Sequence, residues 1–239
     1  MSRLRIVVQV GLAMTVICLV ATSVVAQPFA VTVRKDRLFG AGEGTLVFAT
    51  DSVTYETTDV EDAREWGYDD LKQIQVVSPT RVVMVTYEDQ SWIKFGADRT
   101  FDFEVTGEPV SAELVAFLLE RVPLPLVVAL VPLLDAAPLF EVPVRLRQGG
   151  SLGTLELLGD QLMYRTGDDD LARVWRLADL HLVFQPDRHR LTVQAYEGGG
   201  DQTRAFEFDV KRPLPAGALE EIWAGMHGPS WPRVGRRER

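Results

Sequence analysis

Residues whose types and spacing could perform chemistry are sparse in this 239-residue chain. The stretch Gly149-Gly150-Ser151-Leu152-Gly153 fits the Gly-x-Ser-x-Gly pattern of a nucleophile elbow, where a serine occupies a sharp turn between a strand and a helix. Here a strand pattern follows the serine, and a similar glycine turn earlier in the chain, Gly40 to Gly44, has no serine. The pattern therefore predicts a hairpin turn, and a hydrolase is a distant alternative.

Metal ligands are also poorly represented. The acidic clusters Asp59 to Asp62 and Asp168 to Asp170 lack the alternation and the glycine of a calcium-binding loop. The three histidines have no ligand spacing, and the single cysteine, Cys18, lies in an apolar N-terminal stretch. We expect neither a metal nor a cofactor, and we predict that the protein is not an enzyme.

Basic residues precede two glycine turns and are candidates for anion binding. They are Arg34, Lys35 and Arg37 in the first half of the chain and Arg145 and Arg147 in the second. Basic side chains in such a hairpin can hold phosphate through charge-assisted hydrogen bonds. The opposite strands of the two hairpins are not basic, which favours the alternative that these charges face solvent at a strand edge.

These motifs belong to a duplicated chain. The segment Asp62 to Leu71 (DAREWGYDDL) returns as Leu171 to Leu180 (LARVWRLADL), and Gly44-Thr45-Leu46 returns as Gly153-Thr154-Leu155. Repetition in register over most of the chain indicates two copies of one unit of about a hundred residues, a normal domain size. We call residues 27–122 the first unit and residues 138–228 the second unit.

Each unit is predicted to contain alternating strands followed by one amphipathic helix. The first helix has a capping residue, Ser111. The apolar residues at helical spacing are Leu114, Phe117, Leu118 and Val122 in the first unit and Leu219, Ile222, Trp223 and Met226 in the second. The helices are therefore expected to pack on the sheets.

Two aromatic pairs recur in both units. Trp66 and Trp175 lie on strands and are predicted to anchor the cores, because a tryptophan can bury up to about 250 Å². Tyr87 and Tyr196 lie on the face of their strands where the two copies differ. We expect these tyrosines to be partly exposed, in an inter-domain or partner interface.

The ends and the middle of the chain bear on its location. A positive head followed by an apolar run and small residues predicts a signal peptide over residues 1–26, with an uncleaved membrane tether through residues 6–25 as the alternative. The chain has a net charge of −9, which disfavours nucleic acid as a partner. Residues 123–137 are apolar and proline-rich, predicting a linker that packs against both units, and residues 229–239 are predicted to be a disordered basic tail.

The duplicated motif resembles a known superfold. The pattern Gly-Thr-Leu-x-Phe-x-x-Asp-x-Val-x-Tyr from Gly44, followed by Trp-x-Tyr-Asp-Asp-Leu from Trp66, resembles bacterial pleckstrin-homology-like and GRAM-like domains. The resemblance implies a mainly β, α+β fold of two tandem barrels, each with six or seven antiparallel strands and a C-terminal helix. That superfold hosts binding more often than catalysis. We therefore expect an exported binding or scaffolding protein, whose partner in the cell envelope is an unknown protein or small ligand. A carrier of a small apolar or anionic ligand is the alternative.

Overall fold

A computed structural model describes residues 28–36, 41–91, 94–123, 125–129, 136–168, 170–197 and 202–228. The predicted signal peptide, the C-terminal tail and Arg37 lie outside these residues. Within the described ranges, no helix has the length and apolar character needed to cross a membrane.

The described chain is mainly β with two helices, as the sequence predicts. The first unit contains β1 (Phe29–Asp36), β2 (Ala41–Phe48), β3 (Ser52–Thr57), β4 (Arg64–Gly67), β5 (Leu71–Ser78), β6 (Arg81–Ser91), β7 (Lys94–Val105) and α1 (Ala112–Arg121). The strand β8 (Leu126–Val128) follows. The second unit contains β9 (Phe140–Leu146), β10 (Leu152–Leu158), β11 (Gln161–Thr166), β12 (Arg173–Arg176), β13 (Leu180–Asp187), β14 (Arg190–Tyr196), β15 (Thr203–Val210) and α2 (Ala218–His227). Short 3-10 turns precede β5 (Tyr68–Asp70) and β13 (Leu177–Asp179).

All strands of the described residues belong to one sheet, in the order β13-β14-β15-β9-β10-β11-β12-β8-β5-β6-β7-β1-β2-β3-β4. Each unit contributes seven strands in the same order. In the first unit β1 pairs with both β2 and β7, and in the second unit β9 pairs in the same way with β10 and β15. The order does not close, and β13 and β4 are its two ends. The expected pair of barrels is thus seen as two halves of one open sheet.

The segment predicted as a linker that packs against both units contains a strand that the sequence pattern did not predict. β8 runs parallel to β5, where Ile74 pairs with Leu126 and Val76 with Val128, and antiparallel to β12, where Val174 also pairs with Val128. Its three side chains are all buried. An apolar, β-branched stretch gains both a ladder and a buried position here.

The first unit has more residues between the matched parts of its sixth and seventh strands than the second unit has, and the described ones among them belong to the sheet. β6 continues to Ser91 and β7 begins at Lys94, with Asp89 opposite Asp98 and Ser91 opposite Lys94. The first unit therefore has a longer β6–β7 hairpin than its counterpart, β14 and β15.

Two hydrophobic cores lie on the two halves of the sheet. Trp66 and Trp175 are buried in them, as predicted. Each indole meets a phenylalanine edge-on, Phe101 at 4.8 Å and Phe206 at 4.9 Å between ring centroids. An edge-on arrangement is favourable for the ring quadrupoles. The buried tryptophan therefore packs in the same way in both cores.

The helices pack on these cores with a phase slightly different from the predicted one. The Ser111 hydroxyl accepts the Leu114 amide at 3.2 Å and caps α1, as expected. The side chains that α1 buries are Leu114, Val115, Leu118 and Leu119. Phe117, expected in the core, is only partly buried against Phe29, with 5.2 Å between the rings.

In α2 the buried apolar residue at the predicted spacing is Ile222, and its neighbours Leu219 and Met226 pack partly against the core. Trp223 has a more specific contact. Its indole nitrogen donates to the carbonyl of Val183 on the end strand β13, at 2.8 Å.

Candidate functional site

The two units meet around β8, and we call this region the joint. Arg176, at the end of β12, and Asp179, in the following 3-10 turn, form an ion pair with N–O distances of 2.7 and 3.0 Å. Asp179 also accepts the amide of Leu126 at 3.2 Å, and Arg176 donates to the carbonyl of Val122. The ion pair of the second unit thus binds the backbone on both sides of the short connection between α1 and β8, at Val122 and at Leu126.

This ion pair is largely withdrawn from solvent, with side-chain exposures of 11% for Arg176 and 8% for Asp179. Burial raises the pKa of the Asp179 carboxyl above its usual range, while Arg176 and the Leu126 amide act in the opposite direction. A charge held in such a place depends on its partner, because an unpaired buried charge is costly.

The pair exists in only one unit. The corresponding positions of the first unit are Gly67 and Asp70, where the Asp70 carboxylate accepts the Gly67 amide at 3.0 Å. The arginine is therefore found in the second unit, whose strand β12 pairs with β8. Sequence reasoning missed Arg176 and Asp179, although the Gly-to-Arg difference between otherwise matched copies was a usable signal.

Apolar packing across the joint also uses residues of the second unit that the first unit does not have at the equivalent positions. Met163 on β11 and Val174 on β12 belong to the core cluster of the first unit. Their counterparts in the first unit are Thr54 and Glu65. These two polar residues line an open surface groove of about 430 Å³ along β3 and β4. The face that docks in the second unit is thus polar and solvated in the first.

A buried glutamine completes the joint. Gln73 on β5 is fully buried, and its amide nitrogen donates to the carbonyl of Tyr196 at 2.6 Å. Its oxygen accepts the side-chain amide of Gln75 at 2.7 Å. The counterpart of Gln73 in the second unit is Leu182, which has no side-chain amide. The second unit therefore cannot make the equivalent hydrogen bond at this position. The Gln73 contact places Tyr196, a predicted interface residue, at the boundary of the two units.

Aromatic, apolar and basic side chains that are exposed or half-buried lie near this boundary. We call them the aromatic strip: Tyr87, Lys72, Tyr196, His181, Leu182 and Phe184. Tyr87 is 64% exposed, and the Lys72 ammonium lies 5.1 Å from its ring. The Tyr196 hydroxyl lies 3.0 Å from Nδ1 of His181. Leu182 and Phe184 are 42% and 41% exposed.

The residues of the strip are linked by chain adjacency and by hydrogen bonds. Lys72 adjoins Gln73, whose side chain binds Tyr196, and Leu182 adjoins His181, which contacts the same tyrosine. Tyr196 is therefore part of the joint, and Tyr87 is connected to it through Lys72, the chain neighbour of Gln73.

The predicted anion-binding residues are dispersed and mostly engaged. Arg145 is exposed, and Arg37 lies outside the described residues. The other three form ion pairs: Arg34 with Glu104, Lys35 with Asp62, and Arg147 with Glu207 and Asp209. An anion would have to compete with these carboxylates for the same donors.

A second duplicated cluster surrounds the core tryptophans. The indole nitrogens of Trp66 and Trp175 donate to Glu88 and Glu197 at 2.8 and 2.9 Å. Glu197 is almost fully buried and also pairs with Arg173 at 3.2 Å. A longer contact of 3.9 Å joins it to the exposed Arg204. Its nearest partners, Trp175 and Arg173, are buried, so the cluster holds the sheet together. The recurrence of glutamate directly after each strand tyrosine was the sequence signal for it.

The glycine-rich serine motif is a hairpin turn, as predicted. Gly149 and Gly150 have φ values of +84° and +74°, and β10 follows where an elbow would need a helix. The Ser151 hydroxyl contacts the hydroxyl of Thr166. Across the described part of the chain, no group of three or more His, Cys, Asp or Glu side chains is arranged to hold a metal ion.

Comparison with known proteins adds little to this geometry. No family model matches the chain, and no curated protein matches it. Among solved structures, one described as "Structure of the Spt16D Pob3N heterodimer" is similar over 80% of this chain and 98% of that chain, at 8% identity and a TM-score of 0.28. A likeness at that score does not identify a family.

Proposed function

We propose that this chain is an exported, non-enzymatic binding or scaffolding protein, in which two pleckstrin-homology-like units are held together by β8 and bind a partner protein through the aromatic strip. The observation that carries the proposal is Tyr87, which is 64% exposed against Lys72, whose chain neighbour Gln73 binds the Tyr196 carbonyl at the joint. Tyrosines fixed on a rigid support are typical of interfaces, because they offer large contact area with little conformational entropy to lose.

The arrangement of each unit supports the superfold. Both units have seven strands in the same order followed by one helix, which is the element order that the resemblance implies. Large side chains, including Tyr55, Phe103, Trp175 and Phe206, fill the two interiors. Filled interiors favour binding at the surface over a carrier with an internal ligand cavity.

The other parts of the proposal rest on sequence. The N-terminal pattern over residues 1–26 supports export, and the chain beyond Cys18 has no cysteine, so its stability in an oxidising compartment does not depend on disulfides. A single anionic ligand is the less favoured alternative, because three of the candidate basic residues already have acidic partners.

A photo-crosslinking experiment tests the proposal. A photoreactive phenylalanine analogue replaces Tyr87 in cells that produce the protein, and a matched variant carries it at Val60, which is 85% exposed and outside the strip. We expect one discrete adduct from position 87 and not from position 60. Equal labelling at both positions, or no adduct at position 87, would refute partner binding at the strip.

A further inference from the structure

The two units close the edge of one equivalent strand in different ways. β5 and β13 match in sequence from Leu71 and Leu180, and each follows a 3-10 turn. The edge of β5 is covered by the parallel strand β8. Within the described residues β13 is an end of the sheet, and the helix α2 packs against it. An unpaired strand edge is a template for another strand, so the cover on β13 decides whether one can add.

Trp223 on α2 occupies the place that a neighbouring strand would take. In the first unit the Val76 carbonyl accepts the Ala129 amide at 2.9 Å, so this carbonyl points toward β8. Alternate residues of a strand direct their backbone groups to the same side, so the Ile74 carbonyl also points toward β8. Val183 is the counterpart of Ile74, and its carbonyl accepts the Trp223 indole N–H at 2.8 Å. The indole therefore lies on the outer edge of β13.

This cover is light compared with β8. An indole has a single N–H to donate, and Trp223 is only half-buried, whereas β8 places three buried residues in a ladder with β5. The helix that carries Trp223 is also held less firmly than α1. It buries Ala218 and Ile222, against four side chains buried by α1, and its N-cap residue, Gly217, has no side chain to cap it. Moving Trp223 off the edge is therefore a local change.

Once uncovered, the edge of β13 is complementary to itself. Leu182 and Phe184 are 42% and 41% exposed and flank Val183, whose side chain is buried on the other face. When two β13 strands pair antiparallel about a two-fold axis at Val183, Leu182 of each molecule lies opposite Phe184 of the other. His181 then lies opposite Gln185, and no like charges meet. The two exposed apolar side chains of each molecule thus cover those of the other.

The charge pattern favours the same segment. The chain has a net charge of −9, yet residues 180–186 contain no Asp, Glu, Lys or Arg, the charges that commonly blunt edge strands. We propose that Trp223 is a latch on the β13 edge and that, when it moves away, β13 pairs antiparallel with β13 of a second copy of this chain. The polar β4 edges then form both ends of the joined sheet, so the product is a dimer and not a filament. This pairing goes beyond the partner binding proposed above and does not depend on it.

Sedimentation velocity on the purified protein tests the latch. Trp223→Phe keeps an aromatic ring on α2 and removes the indole N–H that binds the Val183 carbonyl. Because both molecules must open before they pair, the loss of this hydrogen bond counts twice. We expect the dissociation constant of the dimer to fall about tenfold relative to the wild type. An unchanged monomer–dimer equilibrium would overturn the proposal.

Lysine variants separate edge pairing from non-specific association caused by a loosened helix. In the Trp223→Phe background, Phe184→Lys removes an apolar contact and places a charge at the edge, so it should return the protein to the monomer. Leu152→Lys is the matched control, because Leu152 is 67% exposed on the interior strand β10, and it should leave the dimer intact. Equal effects of the two lysines would overturn pairing at β13.

Disulfide formation tests the register of the pairing. The chain has one cysteine, so Cys18→Ser gives a cysteine-free background, to which Trp223→Phe is added. Leu182→Cys mixed with Phe184→Cys should form a linked dimer faster than either variant alone, since only the mixed pair places the two sulfurs directly opposite each other. Equal rates in the mixture and in the separate variants would show that the antiparallel pairing about Val183 is wrong.

Discussion

Single residues decide where this duplicated chain is symmetric and where it is not. The tryptophan and glutamate pairs occur twice with almost the same geometry, Trp66 with Glu88 and Trp175 with Glu197. The joint is built where the copies differ, as at Arg176 against Gly67. Composition and strand alternation predict the repeated residues, because burial of a large aromatic is a local property of the pattern. They do not predict the joint, because its partners are far apart in the chain.

The core tryptophans give the first prediction. Trp175→Ala should lower the free energy of unfolding by about 3–5 kcal/mol, since it removes a fully buried side chain and leaves Glu197 without one donor. Tyr87→Ala is the control and should change stability by less than about 0.5 kcal/mol, because that side chain is mostly exposed. Urea titration followed by circular dichroism measures both. A reversed ranking would mean that the inward and outward faces are wrongly assigned.

The buried ion pair gives the second prediction. Arg176→Ala should cost about 3–5 kcal/mol, because Asp179 then remains buried without its cation. Arg81→Ala removes the arginine of an exposed pair with Asp102 and should cost at most about 1 kcal/mol. The same urea titration compares them. Equal effects would show that the joint pair is no more important than a surface one.

At the level of elements, β8 turns a connection into part of the sheet. Its apolar character could be read from the sequence, and so could its need for cover. Its pairing could not, because the parallel ladder with β5 and the single antiparallel pair with β12 depend on how the two units meet. The helices show a similar limit. Their existence and caps follow from local pattern, whereas the rotation that leaves Phe117 partly exposed depends on the shape of the core beneath α1.

The third prediction concerns β8. Val127→Pro removes an amide that the ladder with β5 uses, so the two units should lose their coupling and melt as two separate transitions. Val127→Ala keeps the amide and should retain one transition at a lower midpoint. Differential scanning calorimetry distinguishes the two. A single cooperative transition in the proline variant would show that β8 does not couple the units.

At the scale of the whole molecule, the sheet has two unlike ends. The β13 end carries Leu182 and Phe184, and the β4 end carries polar residues where the equivalent strands of the second unit dock. Polar residues at one end prevent a repeated structure from adding further units at that end, as capping repeats do in solenoids. The duplication itself was visible in the sequence. Which strands lie at the two ends of the sheet, and hence which of their residues differ, can be told only from the strand order.

The last prediction tests this difference. Thr54→Met with Glu65→Val gives the β4 end the apolar residues found at Met163 and Val174 on the docking face of the second unit. The variant should self-associate, because a new apolar patch beside a free strand edge seeks cover. Sedimentation velocity should show an oligomer fraction that rises with concentration.

A control for that experiment places similar substitutions away from both sheet ends. Glu141→Val with Thr203→Met changes two exposed positions on β9 and β15, which are interior strands of the sheet. This variant should remain in the wild-type association state, since its new apolar groups adjoin no free backbone edge. If the two double variants associate equally, added hydrophobicity alone drives the effect, and the polar residues at the β4 end have no special role in ending the sheet.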